Sequence, residues 1–189
     1  MMRRSVFFVF FIFISLLLPA QHKKGLSRLL PHYAKLQFAG GIGFLAAGAG
    51  YESKNKHFQT DIFYGYVPEK IGGIDIHSVT GKFTYTPFFK QLKHNMQLDW
   101  IMAGILFNYT FGHQYFLFSP EYYPLSYYGL PSAAHVGFFV GESIHYKKMS
   151  LYYELGTTDK DLGGYFKNTR AIPFFDIINI GIGTRYAFK

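Results

Sequence analysis

Ser143-Ile144-His145 is the pair of residues with the clearest chemical potential. In an extended strand, residues two apart share a face. An imidazole beside a hydroxyl can accept its proton and make it a nucleophile toward an acyl carbon. Glu142, the nearest carboxylate, has the opposite parity and falls on the other face. These three are the candidate catalytic residues. The alternative is structural, with Ser143 and His145 as two inward polar residues of one strand. A second set, Asp61, Lys82, Glu154 and Arg185, falls on the polar parity of four other segments and reads as a network of internal ion pairs. The eight His residues (His22, His32, His57, His77, His94, His113, His135 and His145) show no metal-ligand spacing. No phosphate-cradling loop precedes a helix. The sequence therefore calls for no metal and no cofactor.

The elements that must carry these residues are strands. From Ile178 to Phe188 the chain alternates Ile178, Ile180, Ile182, Thr184, Tyr186, Phe188 with Asn179, Gly181, Gly183, Arg185, Ala187. Period-2 alternation of this kind describes a strand with an apolar and a small-polar face. The same pattern places Phe58, Thr60, Ile62, Tyr64 and Tyr66 opposite Gln59, Asp61, Phe63 and Gly65. It recurs over Ile76–Phe88, Leu98–Phe111, His135–Tyr146 and Met149–Thr157. Ala34–Ala39 and Leu45–Tyr51 carry apolar faces of opposite parity. A two-residue hairpin at Gly40-Gly41, pairing Phe38 with Gly43 and Leu36 with Leu45, would produce that switch. A glycine bulge in one long strand is the alternative. The count is eight strands with the hairpin, seven with the bulge. Glu142 interrupts an otherwise apolar face of Val136, Phe138, Val140, Ile144 and Tyr146, so either a bulge near Gly141 turns it inward or it sits near an interface.

Composition and termini favour export. Arg3 and Arg4 precede an apolar run from Val6 to Leu18, and Pro19-Ala20 follows. This is a secretory signal peptide pattern, too short for a membrane-spanning helix. The expected organisation is a signal peptide over 1–20, a leader over 21–33 and a barrel over 34–189. With no Cys, neither a disulfide nor a lipid-anchoring cysteine exists. Aromatic residues are abundant (22 Phe, 16 Tyr, one Trp), beside 20 Gly. Aromatic girdles and small lumen residues account for both excesses in a membrane barrel. The formal charge of +8 raises the question of nucleic acid. The lysines, however, cluster in turns (Lys54, Lys56, Lys90, Lys93, Lys147, Lys148), and an exported chain has no nucleic-acid partner.

Short connections at 53–56, 90–95 and 147–148 alternate with long ones at 68–75, 112–132 and 158–173. Bacterial barrels pair short periplasmic turns with long external loops in this way. On its signal peptide, its alternation and its terminal Tyr186/Phe188, the chain resembles a small, eight-stranded outer-membrane β-barrel of Gram-negative bacteria, here followed by Lys189. The resemblance implies an all-β fold, a transmembrane antiparallel up-and-down barrel in the cell outer membrane. It also implies contact with outer-membrane lipid and lipopolysaccharide.

Three functions suit such a barrel. The expectation is a non-enzymatic structural or surface-interaction role. The long connection holding Glu121, Tyr122, Tyr123, Tyr127 and Tyr128 would be the interaction surface, because Tyr joins a large contact area to a polar tip. The alternatives are a narrow channel and a lipid A-modifying hydrolase. Lipid A 3-O-deacylases are similar in length and fold, and that likeness implies a His-x-Ser pair facing outward. This chain has Ser143 and His145 in the reverse order, and no His in Glu154-Leu155-Gly156-Thr157-Thr158 where that motif would lie. The palmitoyl-transferring barrels would need an external-loop Ser with His and Asp, for which no anchor is visible.

Face assignment makes one prediction here. Ile180→Arg should damage assembly, because Arg on a lipid face costs roughly 2–4 kcal/mol near the midplane. Gly183→Ser, assigned to the lumen, should be milder unless that glycine marks close packing. The folded fraction after refolding into vesicles, scored by gel shift, checks both.

Overall fold

The computed structural model describes residues 30–92, 94–117 and 132–188. They form eight antiparallel strands: β1 (Tyr33–Ala39), β2 (Leu45–Glu52), β3 (Phe58–Val67), β4 (Ile76–Leu92), β5 (Met96–Phe111), β6 (Ala134–Tyr146), β7 (Met149–Thr158) and β8 (Asn179–Ala187). Each strand pairs with its sequence neighbours, and β8 pairs back onto β1 from Tyr33–Ala187 to Ala39–Gly181, closing the barrel. Two short helices lie in connections, α1 (Glu69–Gly72) and α2 (Asp159–Lys167). The architecture is the expected up-and-down barrel of eight strands. The segment read as a signal peptide (1–20), most of that read as a leader (21–33) and the tyrosine-rich segment with Glu121, Tyr122, Tyr123, Tyr127 and Tyr128 lie outside the described residues.

Alternation sets the faces. In β3, Gln59, Asp61 and Phe63 are buried while Phe58, Ile62 and Tyr64 are exposed. The outer surface is a continuous field of large apolar side chains. It includes Leu36, Ile62, Phe83, Ile105, Phe107, Phe138, Leu151, Ile180 and Ile182, with Ile62 66% exposed. The interior carries Lys35, Asp61, Lys82, Asp99, Glu154 and Arg185, all buried. The usual arrangement of a globular protein is thus inverted. An apolar layer of Ile42, Ala46, Phe63, Leu106 and Phe139 fills the lumen toward the end with the longer connections.

Four features differ from the sequence reading. First, the β1–β2 connection has five residues, 40–44, and Phe38 pairs with Leu45 rather than Gly43. The shift is by two, so the parity switch survives. Its cause is Ile42, which drops fully buried into the lumen and accepts a hydrogen bond from Ser78 Oγ at 3.0 Å. Gly40, Gly41 and Gly43, all at positive φ, let the backbone make that dip. Second, β4 and β5 run on to Leu92 and Met96, past the expected polar connection. Both carry register shifts: β4 between Tyr85 and Phe88, where Pro87 has no N–H to give the ladder, and β5 between Asp99 and Met102. Third, residues 159–167 are helical. Thr158 caps the helix by accepting from the Asp161 N–H at 3.4 Å, and Asp159 and Asp161 occupy its first turn. The pattern Thr158-x-x-Asp161 was the available signal, hidden by Gly163-Gly164. Fourth, one of the two placements weighed for Glu142 is removed: β6 has no bulge at Gly141 to turn it inward, since its pairing with β7 is continuous from Gly137 to Tyr146.

Gly183 faces the lumen as expected, but its side-chain space is taken. A Cβ there would lie 2.3 Å from the Tyr152 ring and 2.7 Å from the Leu36 carbonyl oxygen. The second neighbour is backbone and cannot yield, so the mild outcome expected for Gly183→Ser is withdrawn. Gly81 is the contrast. It stands on the outer face of β4 with nothing within 4 Å of its would-be Cβ. Gly183→Ala should destabilise by about 1–3 kcal/mol through overpacking. Gly81→Ala should be neutral or stabilising by up to about 1 kcal/mol, since Ala narrows the unfolded ensemble. Urea midpoints of the refolded barrel check the pair, and equal midpoints for the two variants would overturn the packing argument.

Candidate functional site

The β5 bulge decides what surrounds Ser143 and His145. Strict alternation from Met102 would send Asp99 outward and Trp100 inward. Instead Trp100 and Ile101 are both exposed, at 54% and 49%, and Asp99 is turned into the lumen at 2%. A bulge re-aims a side chain in this manner. Asp99 was missed by the sequence reading. The apolar doublet Trp100-Ile101 after an acid, breaking the period, was its signal.

Asp99, Ser143, His145 and Ser150 form one cluster at the short-connection end of the lumen. His145 Nε2 lies 2.7 Å from Asp99 Oδ2 and 2.8 Å from Ser143 Oγ, and Ser143 Oγ donates to the same carboxylate oxygen at 3.0 Å. His145 Nδ1 lies 2.6 Å from Ser150 Oγ. With the ring proton on Nε2 facing Asp99, Ser150 donates to Nδ1. In a hydrolytic triad the acid and the nucleophile sit on opposite ring nitrogens. Ser143 shares its nitrogen with the acid, so it is not placed as that nucleophile. Ser150 is the hydroxyl across the ring from Asp99. The void bordered by Ser143, His145, Ser150, Lys35 and Arg185 measures about 10 Å³. That is room for about one water. Glu142 is not part of the cluster. It stands on the outer face, opposite Tyr153 of β7.

The four residues read as an ion-pair network are all inward; Lys82 and Glu154 pair with each other, while Asp61 and Arg185 each take a partner outside the four. Lys82 Nζ pairs with the Glu154 carboxylate and donates to Gln37 Oε1 at 2.9 Å. The ammonium also lies 4.8 Å from the Phe139 ring centroid and 5.2 Å from that of Phe63. Asp61 takes Lys35 at 2.7 Å, and Lys35 also donates to Gln59 at 3.2 Å. Arg185 pairs with Glu52 at 2.9 Å and stacks over Tyr33, 3.9 Å from its centroid. Lys35, Glu52 and Gln37 were not singled out from sequence. Inward parity marked Lys35 and Gln37, and only the β1–β8 closure brings Gln37 under Tyr152, whose hydroxyl donates to it at 3.2 Å.

At the other end a cleft of about 270 Å³ opens among the long connections. Its floor is Ile42. Its wall includes His135, which lies 3.1 Å from Asp159, and Asp161, which accepts from Thr158 and from Asn179 at 2.9 and 2.8 Å. Among the described residues no group of three His, Cys, Asp or Glu could hold a metal ion.

Compared with known proteins, the chain matches no family model, no curated protein and no solved structure. Its reading therefore rests on its own geometry.

The Lys82–Glu154 pair makes a quantitative prediction. Lys82→Met strands a buried carboxylate and should cost about 3–5 kcal/mol. The double variant Lys82→Met/Glu154→Leu should recover most of that loss, because an apolar replacement of a buried pair is often neutral. Unfolding midpoints in urea distinguish the two. A double variant as unstable as the single one would show that the ions are needed for more than mutual charge balance.

Proposed function

We propose that this chain is an outer-membrane β-barrel, exported by a cleaved signal peptide, with a structural or surface-interaction role rather than a catalytic one. The observation that carries the reading is the inverted distribution of polarity. A closed ladder leaves no free strand edge, which is the condition for strands to cross lipid. Its outer face offers hydrocarbon-compatible side chains, and its charges are paired inside. Strands of about 9–11 tilted residues suffice to cross a bilayer, and most of the strands here reach that length. Tyr186 and Phe188, 6.2 Å apart, together with Tyr146 and Tyr51, supply exposed aromatic residues near the short-connection rim.

Two observations weigh against the rival roles. A lipid-modifying hydrolase needs its nucleophile open to an acyl chain, yet Ser143 and Ser150 are buried in the lumen beside space for one water. A channel needs a continuous path, yet the Lys82–Glu154 pair and the Phe63, Leu106 and Phe139 layer occupy the lumen in succession. The linear order Asp99, His145, Ser150 is the one feature that favours hydrolysis.

Two measurements test the proposal. The refolded protein should give a β-type circular dichroism spectrum in detergent and migrate faster unheated than boiled. A helical spectrum, or a monomer soluble without detergent, would sink the barrel reading. Mass spectrometry of lipid A from cells with and without the protein should show the same acylation. An acyl chain lost in its presence and restored by Ser150→Ala or Ser143→Ala would establish the enzyme instead.

A further inference from the structure

The connection between β7 and β8 exposes what a water-facing loop normally hides. Phe166, at the end of α2, is 74% exposed, and Phe174 and Phe175 are 56% and 80% exposed. They are not scattered. Tyr165 packs edge-on against Phe166 and Phe174 with centroids 5.7 and 6.2 Å apart, and Phe174 meets Phe175 at 6.0 Å. None of the residues of α2 is buried. The loop is nonetheless held in place. Thr158 caps the helix, Asp159 reaches His135, Asp161 takes Asn179, and Ile177 is buried at 5%. Asp159 and Asp161 are thereby committed to the barrel mouth.

Three exposed cations stand on this connection, Lys160, Lys167 and Arg170, and the last two lie within the stretch that carries the aromatic residues. Neither of those two joins an ion pair among the described residues. Asp176 is the segment's exposed acid. The 3₁₀ turn Phe174–Ile177 runs directly into β8, whose outward residues Ile180 and Ile182 belong to the apolar outer surface. The aromatic residues are thus joined through the chain to a strand of that surface, at the rim of the long connections.

Aromatic side chains next to unpaired bases match the boundary between acyl chains and phosphates. We propose that residues 166–175 are a lipid-docking element. In it Phe166, Phe174 and Phe175 enter the acyl boundary of the external leaflet, and Lys167 and Arg170 bind the phosphate groups of a phosphorylated lipid of that leaflet. This rests on the outer-membrane reading above and adds to it a site, a lipid chemistry and the residues that make the contact. Arg offers a phosphate a bidentate fork and Lys a point charge, so the two suit adjacent phosphate oxygens.

The absence of cysteine allows a single reporter. Phe175→Cys, labelled with an environment-sensitive dye, is refolded into phosphatidylcholine vesicles with and without bisphosphorylated lipid A. Gel mobility reports barrel insertion separately. In inserted protein the dye should emit to the blue and be quenched by lipid-borne nitroxide. Lipid A should then reduce its access to an aqueous quencher. Lys167→Gln/Arg170→Gln should remove that second effect and weaken lipid A retention in detergent by roughly fivefold per cation, leaving gel mobility unchanged. Failure to insert would defeat the outer-membrane reading itself. An inserted barrel whose dye stays in water in both vesicles would overturn the docking element alone. So would shielding that appears only as protein density rises, which would make the occupant a second copy of the chain. Lipid A effects that persist in the double variant would overturn the phosphate assignment.

Discussion

Everything in this molecule depends on the pairing of β1 with β8. That ladder joins the first strand to the last, from Tyr33–Ala187 to Ala39–Gly181, and turns an open sheet with two free edges into one with none. An open edge would present unpaired N–H and C=O groups, which bind another strand or, in an apolar medium, cost several kcal/mol each. Closure also limits the cross-section. With eight strands the interior is about as wide as the side chains that fill it. Inward residues must then pack against each other across the lumen rather than against solvent.

That limit explains why small and large residues face each other. β2 presents Ala46, Gly48 and Gly50 inward, while β3 presents Phe63 and Asp61. A Cβ on Gly50 would fall 2.2 Å from Asp61 Oδ1 and 2.6 Å from the Tyr33 hydroxyl. The glycines are thus the space into which the opposing wall projects. The charges obey the same limit. A lysine enclosed at this depth is tolerable only with its proton partners in place, and Lys35 and Lys82 each have a carboxylate and an amide oxygen. Gln37 joins the two sides of the closure seam, since it sits on β1, serves Lys82 on β4 and receives Tyr152 from β7.

The strands and their faces were legible in the sequence because a two-sided sheet imposes a period of two on both of its surroundings. What was not legible is whatever depends on phase or on distant neighbours. A parity reading carries its phase forward until a bulge resets it. Asp99 was therefore passed over in a strand whose other end was read correctly, because the phase set by Met102 would point it outward. Gly183 announced a small residue, but not that Tyr152 of the adjacent strand would occupy its place. The Gly40-Gly41 signal marked a reversal. It did not reveal that Ile42 would be drawn into the lumen, because that outcome needs the small Gly65 of β3, whose would-be Cβ lies 1.9 Å from the Ile42 carbonyl oxygen, and the acceptor role of that oxygen toward Ser78 of β4. The helix at 159–167 was hidden by two glycines that local capping outweighs.

The two ends of the barrel are built to different rules, and this bears on where it meets other molecules. Toward the short connections the lumen holds charge in ion pairs, Lys35 with Asp61, Arg185 with Glu52, and Asp99 with His145, though Asp61 Oδ1 and Arg185 Nε have no hydrogen-bond partner of their own among the described residues. Polar groups that are already paired have little left to offer a ligand, and loosening them would leave buried charge behind. Beyond the Phe63, Leu106 and Phe139 layer the buried strand residues are hydroxyls and amides, such as Ser78, Thr80 and Asn108, and the barrel opens into the cleft of about 270 Å³, whose wall carries His135, Lys160 and Asp161. The apolar layer separates these halves, so a ligand entering from the long connections would reach Ile42 and stop. The surface-interaction role proposed above fits that end, with its cleft and the exposed rim around it. The paired charges below fill the lumen that the β1–β8 ladder closes.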